Sequence, residues 1–189
     1  TGWEQIAPAI GKYDIDLDAG EVVQNIDFGN GLTLSIADVT LNQEGDAGTK
    51  DVTFTVILSG ISTVDTIFEI ATADGSAIAG ADYLASSDSL TIAAGDTQRT
   101  FTVTVNGDTT DEIDETFFVR LSNSTNARIL DGEAVGTIVD DDNSPAISIG
   151  NATLAFEGDI GTQLLTFTVS LSAPSGKPVS VSYSTMDDV

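Results

Sequence analysis

The chain has 189 residues, 30 acids against 6 bases, a formal charge of −24, and neither cysteine nor histidine. Thiol nucleophiles, Ser-His-Asp triads and ordinary zinc sites are thereby excluded, and the acidic balance argues against nucleic acid and anionic lipid, which need a basic face. A hydrophobic content of 41% still supplies a packed core, while the excess of Asp over Glu, 22 to 8, disfavours helix and suits strands joined by turns.

In chain order, the first elements are two strands, Tyr13–Leu17 and Glu21–Phe28, joined by Asp18-Ala19-Gly20. Asp14, Asp16 and Asp18 mimic the opening of an EF-hand loop, which wants Gly at its sixth position and Glu at its twelfth. Those positions hold Ala19 and Asn25, and Tyr13, Ile15 and Leu17 alternate with the acids, so a strand with a solvated acidic face is expected. The stretch from Gly2-Trp3 to Asp27-Phe28-Gly29-Asn30 resembles the closing strands of B-type repeats in serine-aspartate surface proteins. That resemblance implies that residues 1–31 are the C-terminal strands of a truncated upstream β domain. A first residue of Thr1 fits an excerpt from a longer polypeptide.

Alternation then predicts strands at Leu32–Ile36, Val52–Leu58, Thr66–Ala73, Ser89–Ile92, Gln98–Val105, Thr116–Leu121 and Ala134–Val139. Val52, Phe54, Val56 and Leu58 are apolar at every second position, the period of a sheet with one buried face. Turn residues separate the strands at Ala94-Gly95-Asp96, Asn106-Gly107-Asp108 and Asp131-Gly132. About seven short strands in some 110 residues indicate an all-β fold, an immunoglobulin-like antiparallel β-sandwich with Greek-key connections.

An internal repeat sets the domain organisation. Shifted by 113 positions, Leu34 to Gly75 lies over Ile147 to Asp188 without a gap, and about 18 of the 42 positions are identical. Glu44-Gly45-Asp46 falls on Glu157-Gly158-Asp159, and Thr53 to Val56 on Thr166 to Val169. Residues 32–142 therefore form one complete domain and 143–189 a truncated second one, with strands expected at Ala146–Ile149, Leu165–Leu171 and Val179–Ser184. The linker Asn143-Ser144-Pro145 leaves little slack between them.

Two acidic clusters, Asp108 to Glu115 and Asp140 to Asp142, follow or end strands of the complete domain. Carboxylates crowded at one end of a β domain repel one another, and a hard cation such as Ca²⁺, with roughly six to eight oxygen ligands, relieves that repulsion. The segments Ala73 to Tyr83 (ADGSAIAGADY), Leu90 to Asn123 and Val135 to Asp142 (VGTIVDDD) resemble a Calx-β domain, a family known from sodium/calcium exchangers, an integrin and large bacterial surface proteins. In the exchanger domains a cluster of Ca²⁺ ions sits at one end of the sandwich. The resemblance implies the metal ligands Glu44, Asp82, Asp108, Glu112, Glu115, Asp140, Asp141 and Asp142. Greek-key loops alternate between the two ends, so the turns bearing these eight acids can share one pole. Gly107 stands where the exchanger sensor carries an acid, which implies one ion fewer or weaker binding.

Asp88, Asp96 and Asp131 are read as solvated loop residues, and Asp74 as shaping the turn at Asp74-Gly75. Glu112 and Glu115 could pair as glycosidase carboxylates, but one Trp and three Tyr supply little for the aromatic-lined cleft such an enzyme normally has, so no enzymatic activity is expected. The expected function is a calcium-binding module of a multidomain bacterial extracellular or cell-surface protein, structural or adhesive, with Ca²⁺ stiffening the junction between repeats. Its partners would be calcium, the neighbouring repeats and a cell-surface or matrix ligand. The alternatives are a regulatory calcium sensor on a membrane transporter and a non-catalytic appendage of a secreted hydrolase.

Overall fold

The structure is a computed structural model that describes residues 31–153, 156 and 158–187. The chain divides into two units, Thr1–Asn30 and Gly31–Val189. The strands expected at Tyr13–Leu17 and Glu21–Phe28, with Asp14, Asp16 and Asp18, lie outside the described residues.

Nine strands build the sandwich between residues 33 and 138: β1 (Thr33–Ile36), β2 (Val39–Leu41), β3 (Thr49–Leu58), β4 (Thr66–Asp74), β5 (Ser87–Ile92), β6 (Gln98–Asn106), β7 (Glu115–Ser122), β8 (Arg128–Asp131) and β9 (Glu133–Ile138). They form two sheets, ordered β6-β3-β1-β8 and β2-β9-β7-β4-β5. On β3 the residues Val52, Phe54, Val56 and Leu58 are buried, as their alternation predicts. Phe68 and Ile70 of β4, Val103 and Val105 of β6, and Phe117 and Val119 of β7 complete the apolar layer.

Phe54 from one sheet meets Phe117 from the other edge-on, with centroids 5.9 Å apart, and Tyr83 stacks on Phe117 at 4.7 Å. Such aromatic pairs add about 0.5–1.5 kcal/mol beyond the area they bury. Phe117 lies directly across from Gly136 of β9. A Cβ at Gly136 would stand 2.4 Å from the ring, so glycine there is what lets the ring lie over its neighbouring strand.

Seven strands were expected, and two more are present. The opening segment splits: β1 joins one sheet, and β2 crosses to the other after Ala37-Asp38. Asp38 secures the crossing by accepting the Val135 N–H at 2.8 Å. Strands β2 and β8 are three and four residues long, too short for a two-residue period to register. Their pairings also qualify the antiparallel expectation, because β1 with β8 and β2 with β9 run parallel.

Beyond residue 145, β10 (Ile147–Ile149) pairs with β11 (Val169–Leu171). Its register, Ile147 opposite Leu171 and Ile149 opposite Val169, is that of Leu34 with Leu58 and Ile36 with Val56, displaced by 113 positions. Gly45 and Gly48 have φ of 85° and 80°, and Gly158 and Gly161 have 73° and 90° at the same displacement. Strand Leu165–Leu171 is shorter than expected and Val179–Ser184 forms no strand. Among the described residues these segments have no facing sheet to pack against, and propensity alone does not hold an isolated strand.

Candidate metal centre

Strand register brings the acidic turns together. Thr49 at the start of β3 faces Asn106 at the end of β6, Glu115 at the start of β7 faces Ile138 at the end of β9, and Asp74 at the end of β4 faces Phe117. The β2–β3, β4–β5 and β6–β7 connections and the exit from β9 therefore share one pole. Hydrogen bonds tie them: the Asn106 side chain donates to Ala81 O at 2.6 Å, Asn106 N donates to Asp82 O, and Asp140 N donates to Asp114 Oδ1 at 3.2 Å.

Gly45 and Gly48, both left-handed, fold the β2–β3 turn so that Glu44 points inward with 7% of its surface exposed. Gly107 packs against this turn, and a Cβ there would lie 2.1 Å from Gly45 O. Backbone proximity leaves no room for a side chain at residue 107, so the departure from the exchanger pattern noted there is built into the turn packing.

Two trios of carboxylates result. Glu44, Asp140 and Asp142 each offer an oxygen, all within 4.8 Å of one another, and so do Asp82, Glu112 and Glu115. Ligand oxygens at 2.3–2.6 Å from Ca²⁺ can be at most about 4.6–5.2 Å apart, so either trio can surround one such ion. Each trio carries six oxygens and no nitrogen or sulfur donor, which is the chemistry of a hard cation.

Electrostatics fit the same reading. Burial, followed by the charges of Asp108, Asp140, Glu112 and Asp142, pushes the Glu44 carboxyl up to about 7. Burial and then Asp82 push Glu115 up to about 7. Glu112 and Asp142 are raised too, burial being the largest cause in each. Asp142 Oδ2 is buried with no hydrogen-bond partner. An orphaned, desolvated carboxylate oxygen costs free energy that a bound cation offsets.

Six of the eight expected acids form the trios, and the other two stand beside them. Asp108 is exposed and accepts the Thr110 N–H at 2.6 Å, while its charge still acts on Glu44 and Glu112. Asp141 is exposed and accepts the Gly45 N–H at 2.8 Å. Asp74 shapes its turn, as expected: it accepts from Ala79 N at 2.9 Å and from the buried Tyr83 hydroxyl at 2.6 Å. That bond holds Asp74 below the usual carboxylate range.

Two participants escaped the sequence reading. Asp111, only 4% exposed, pairs with Lys177 at 2.6 Å, and Lys177 also reaches Asp140 at 3.2 Å. Asp111 sat unnoticed in a run of acids, and Lys177 lies 37 positions beyond the last cluster's first residue. The scarcity of bases, 6 in 189 residues, was the one available signal that a lysine near this pole mattered.

A two-sheet sandwich whose loops gather acidic trios at one end defines a class of ion-competent β-modules. The Calx-beta domain family matches residues 33–143, more than half of the chain, and the chain belongs to that family. Solved structures share the fold. An apo-form Calx CBD1 domain aligns with a TM-score of 0.53 and 24% identity, over 60% of this chain and all of that one. A CBD12 structure from CALX1.2 aligns with a TM-score of 0.54 and 23% identity, over 63% of this chain and 49% of that one. A Calx CBD2 domain aligns at 0.50 with 12% identity, over 60% of this chain and 91% of that one. No curated protein matches the chain.

Proposed function

We propose that the chain is a calcium-binding module in which one ion is held by Glu44, Asp140 and Asp142 and a second by Asp82, Glu112 and Glu115. Asp108 and Asp141 complete the set from the outer side. The observation that carries this reading is the pair of carboxylate trios, each within the span of one ion's coordination sphere. A solved structure described as the calcium binding domain CBD12 of CALX1.1 shares the fold, with a TM-score of 0.50.

Binding would neutralise the pole and fix four chain segments to one another. One of them, Asp140–Asp142, runs straight into the repeat that begins near Ser144, so the ion would stiffen that junction. This suits a structural or adhesive module of a multidomain bacterial protein outside the cell or at its surface, built of residues 32–142 and a second repeat from 143 onward. Glu112 and Glu115 are then ion ligands rather than a catalytic pair. A regulatory sensor attached to a membrane transporter is the second reading, favoured by the likeness to the Calx CBD structures.

Calorimetric titration of the chain with Ca²⁺ tests the proposal, with two equivalents expected per chain. Extracellular modules bind at roughly 10⁻⁴–10⁻³ M. Absence of saturable binding through that range would refute it. Flanking sequence separates the readings: transmembrane helices in the same polypeptide favour the sensor, further repeats with an anchor the surface protein.

A further inference from the structure

The β4–β5 connection delivers Asp82 to the second trio, and it is pinned on both sides of that residue. Asp74 Oδ1, at the end of β4, accepts the Ala79 N–H at 2.9 Å and the Tyr83 hydroxyl at 2.6 Å, the latter across 9 positions. Tyr83 O accepts the Gly80 N–H at 2.7 Å, and Gly80 has a φ of 94° that lets the chain reverse there. Asp82 Oδ2 accepts the Ile78 N–H at 2.6 Å, so the loop's own backbone sets the carboxylate. Asp82 O in turn accepts the Asn106 N–H at 2.9 Å, which ties the loop to the end of β6.

The Tyr83 ring is the fixed end of this arrangement. It is 1% exposed and stacks on Phe117, on the same strand as the trio member Glu115. Packing alone would be served by phenylalanine, as Phe54 serves it on the facing sheet. The hydroxyl adds a bond from the core to an exposed carboxylate, and a bond to an ionised acceptor is roughly twice as strong as a neutral one.

We propose that Asp74 and Tyr83 are positioning residues for the ion at Asp82, Glu112 and Glu115, acting through the placement of Asp82. This rests on the calcium reading above and adds to it two residues that belong to neither trio. Their bond closes the loop from its entry to the residue after Asp82, and removes the freedom that would let that carboxylate drift from Glu112 and Glu115. The Glu44 trio stands on other segments, the β2–β3 turn and the β9 exit, so the clamp does not reach it. What the loop needs at Asp74 is an acceptor rather than a charge. Asp74→Asn keeps an oxygen for both donors, whereas Asp74→Ala keeps none.

The test is calorimetric Ca²⁺ titration of the 189-residue chain and of its Tyr83→Phe, Asp74→Ala and Asp74→Asn variants, with melting curves to confirm folding. Asp74 is exposed, so its variants leave the core untouched. Tyr83→Phe and Asp74→Ala should each weaken one of the two calcium equivalents about tenfold or more, the lower end for loss of a group that orients a ligand. The other equivalent should stay within about twofold, as for independent sites, and Asp74→Asn should bind like the parent. In an Asp82→Asn chain only the Glu44 trio remains, and adding Tyr83→Phe should change its binding no further. Parent-like binding by Tyr83→Phe overturns the proposal and leaves the calcium reading intact. Equal weakening of both equivalents overturns it as well, since the pair would then serve the fold as a whole. So does a loss in Asp74→Asn as large as in Asp74→Ala, which would assign the effect to charge. A parent chain, or an Asp82→Asn chain, that binds no Ca²⁺ removes the two-ion reading itself.

Discussion

The backbone N–H of Gly45 donates to the Asp141 carboxylate at 2.8 Å, joining the β2–β3 turn to the exit of β9 across 96 positions of sequence. Asp141 thereby orients the turn that aims Glu44, while Asp142 next to it supplies an oxygen to the trio itself. Neighbouring acids in one run thus have different tasks.

Their substitutions should separate accordingly. Asp141→Ala should weaken calcium binding about 10–100-fold, the usual cost of losing a group that orients a ligand. Asp142→Ala should cost at least as much. Asp96→Ala should change nothing: Asp96 lies in the turn whose Gly95 N–H bonds Ser62 O, at the opposite pole. Calorimetric titration of the three variants decides, and equal losses in all three would mean diffuse acidity rather than a site.

Calcium should raise the melting temperature. A ligand confined to the folded state adds about 2.7 kcal/mol at one hundred times its dissociation constant. Millimolar Ca²⁺ against a site of roughly 10⁻⁴–10⁻³ M gives less. Identical melting curves in chelator and in excess Ca²⁺ would contradict two occupied trios.

The pH dependence has a definite sign. Glu44 and Glu115 rise from 4.5 to about 7 in the folded protein, so the folded state holds their protons more tightly than the unfolded chain. For the metal-free protein their contribution is fully present below pH 4.5 and is lost as pH climbs through about 7. Asp74 and Asp111, both lowered, act in the opposite sense and lose their contribution only as pH falls below 3.8. Metal-free stability should therefore decline from about pH 5 to about pH 8, and the gain from added Ca²⁺ should grow over the same interval. Thermal melts across that range, with and without chelator, check both slopes.

Gly107→Ala should damage fold and site together. Its Cβ would meet Gly45 O at 2.1 Å and Glu44 O at 2.7 Å, so the Glu44 turn must move. A cost of about 1–3 kcal/mol is expected, as for other overpacked positions. Gly95→Ala is the informative comparison. Nothing lies near its Cβ, so its φ of 95° strains the backbone without crowding a neighbour. Weaker calcium binding in Gly107→Ala alone would place the damage in the Glu44 turn.

Exposure distinguishes the two copies of one pattern. Phe54 is fully buried, whereas Phe167, its counterpart 113 positions on, is 54% exposed. Val169 and Leu171 are likewise exposed where Val56 and Leu58 are not. Amides of Val169–Leu171 should exchange much faster than those of β3 in this chain. Equal protection would show that the 147–171 segment finds a packing partner of its own.

Alternation along β3, β6 and β7 made the sandwich legible in the sequence, because a half-buried strand must place its apolar residues at every second position. Acid runs likewise marked Glu112, Glu115, Asp140 and Asp142, since a crowd of carboxylates needs a reason to converge, and the resemblance to the Calx-β domain added Glu44 and Asp82. Composition alone disposed of thiol, histidine and zinc chemistry. The strands β2 and β8, too short to show a period, came only from their parallel partners. The division of eight acids into two trios and two outliers depended on which carboxylate oxygens strand register brings within 4.8 Å of one another, a distance that spacing along the chain does not encode. Tertiary structure alone decided that Gly107 must stay bare, and that Lys177 meets Asp111 across 66 positions. Local pattern reports which face of an element is buried, whereas a contact between distant loops exists only once both sheets have closed on their common core.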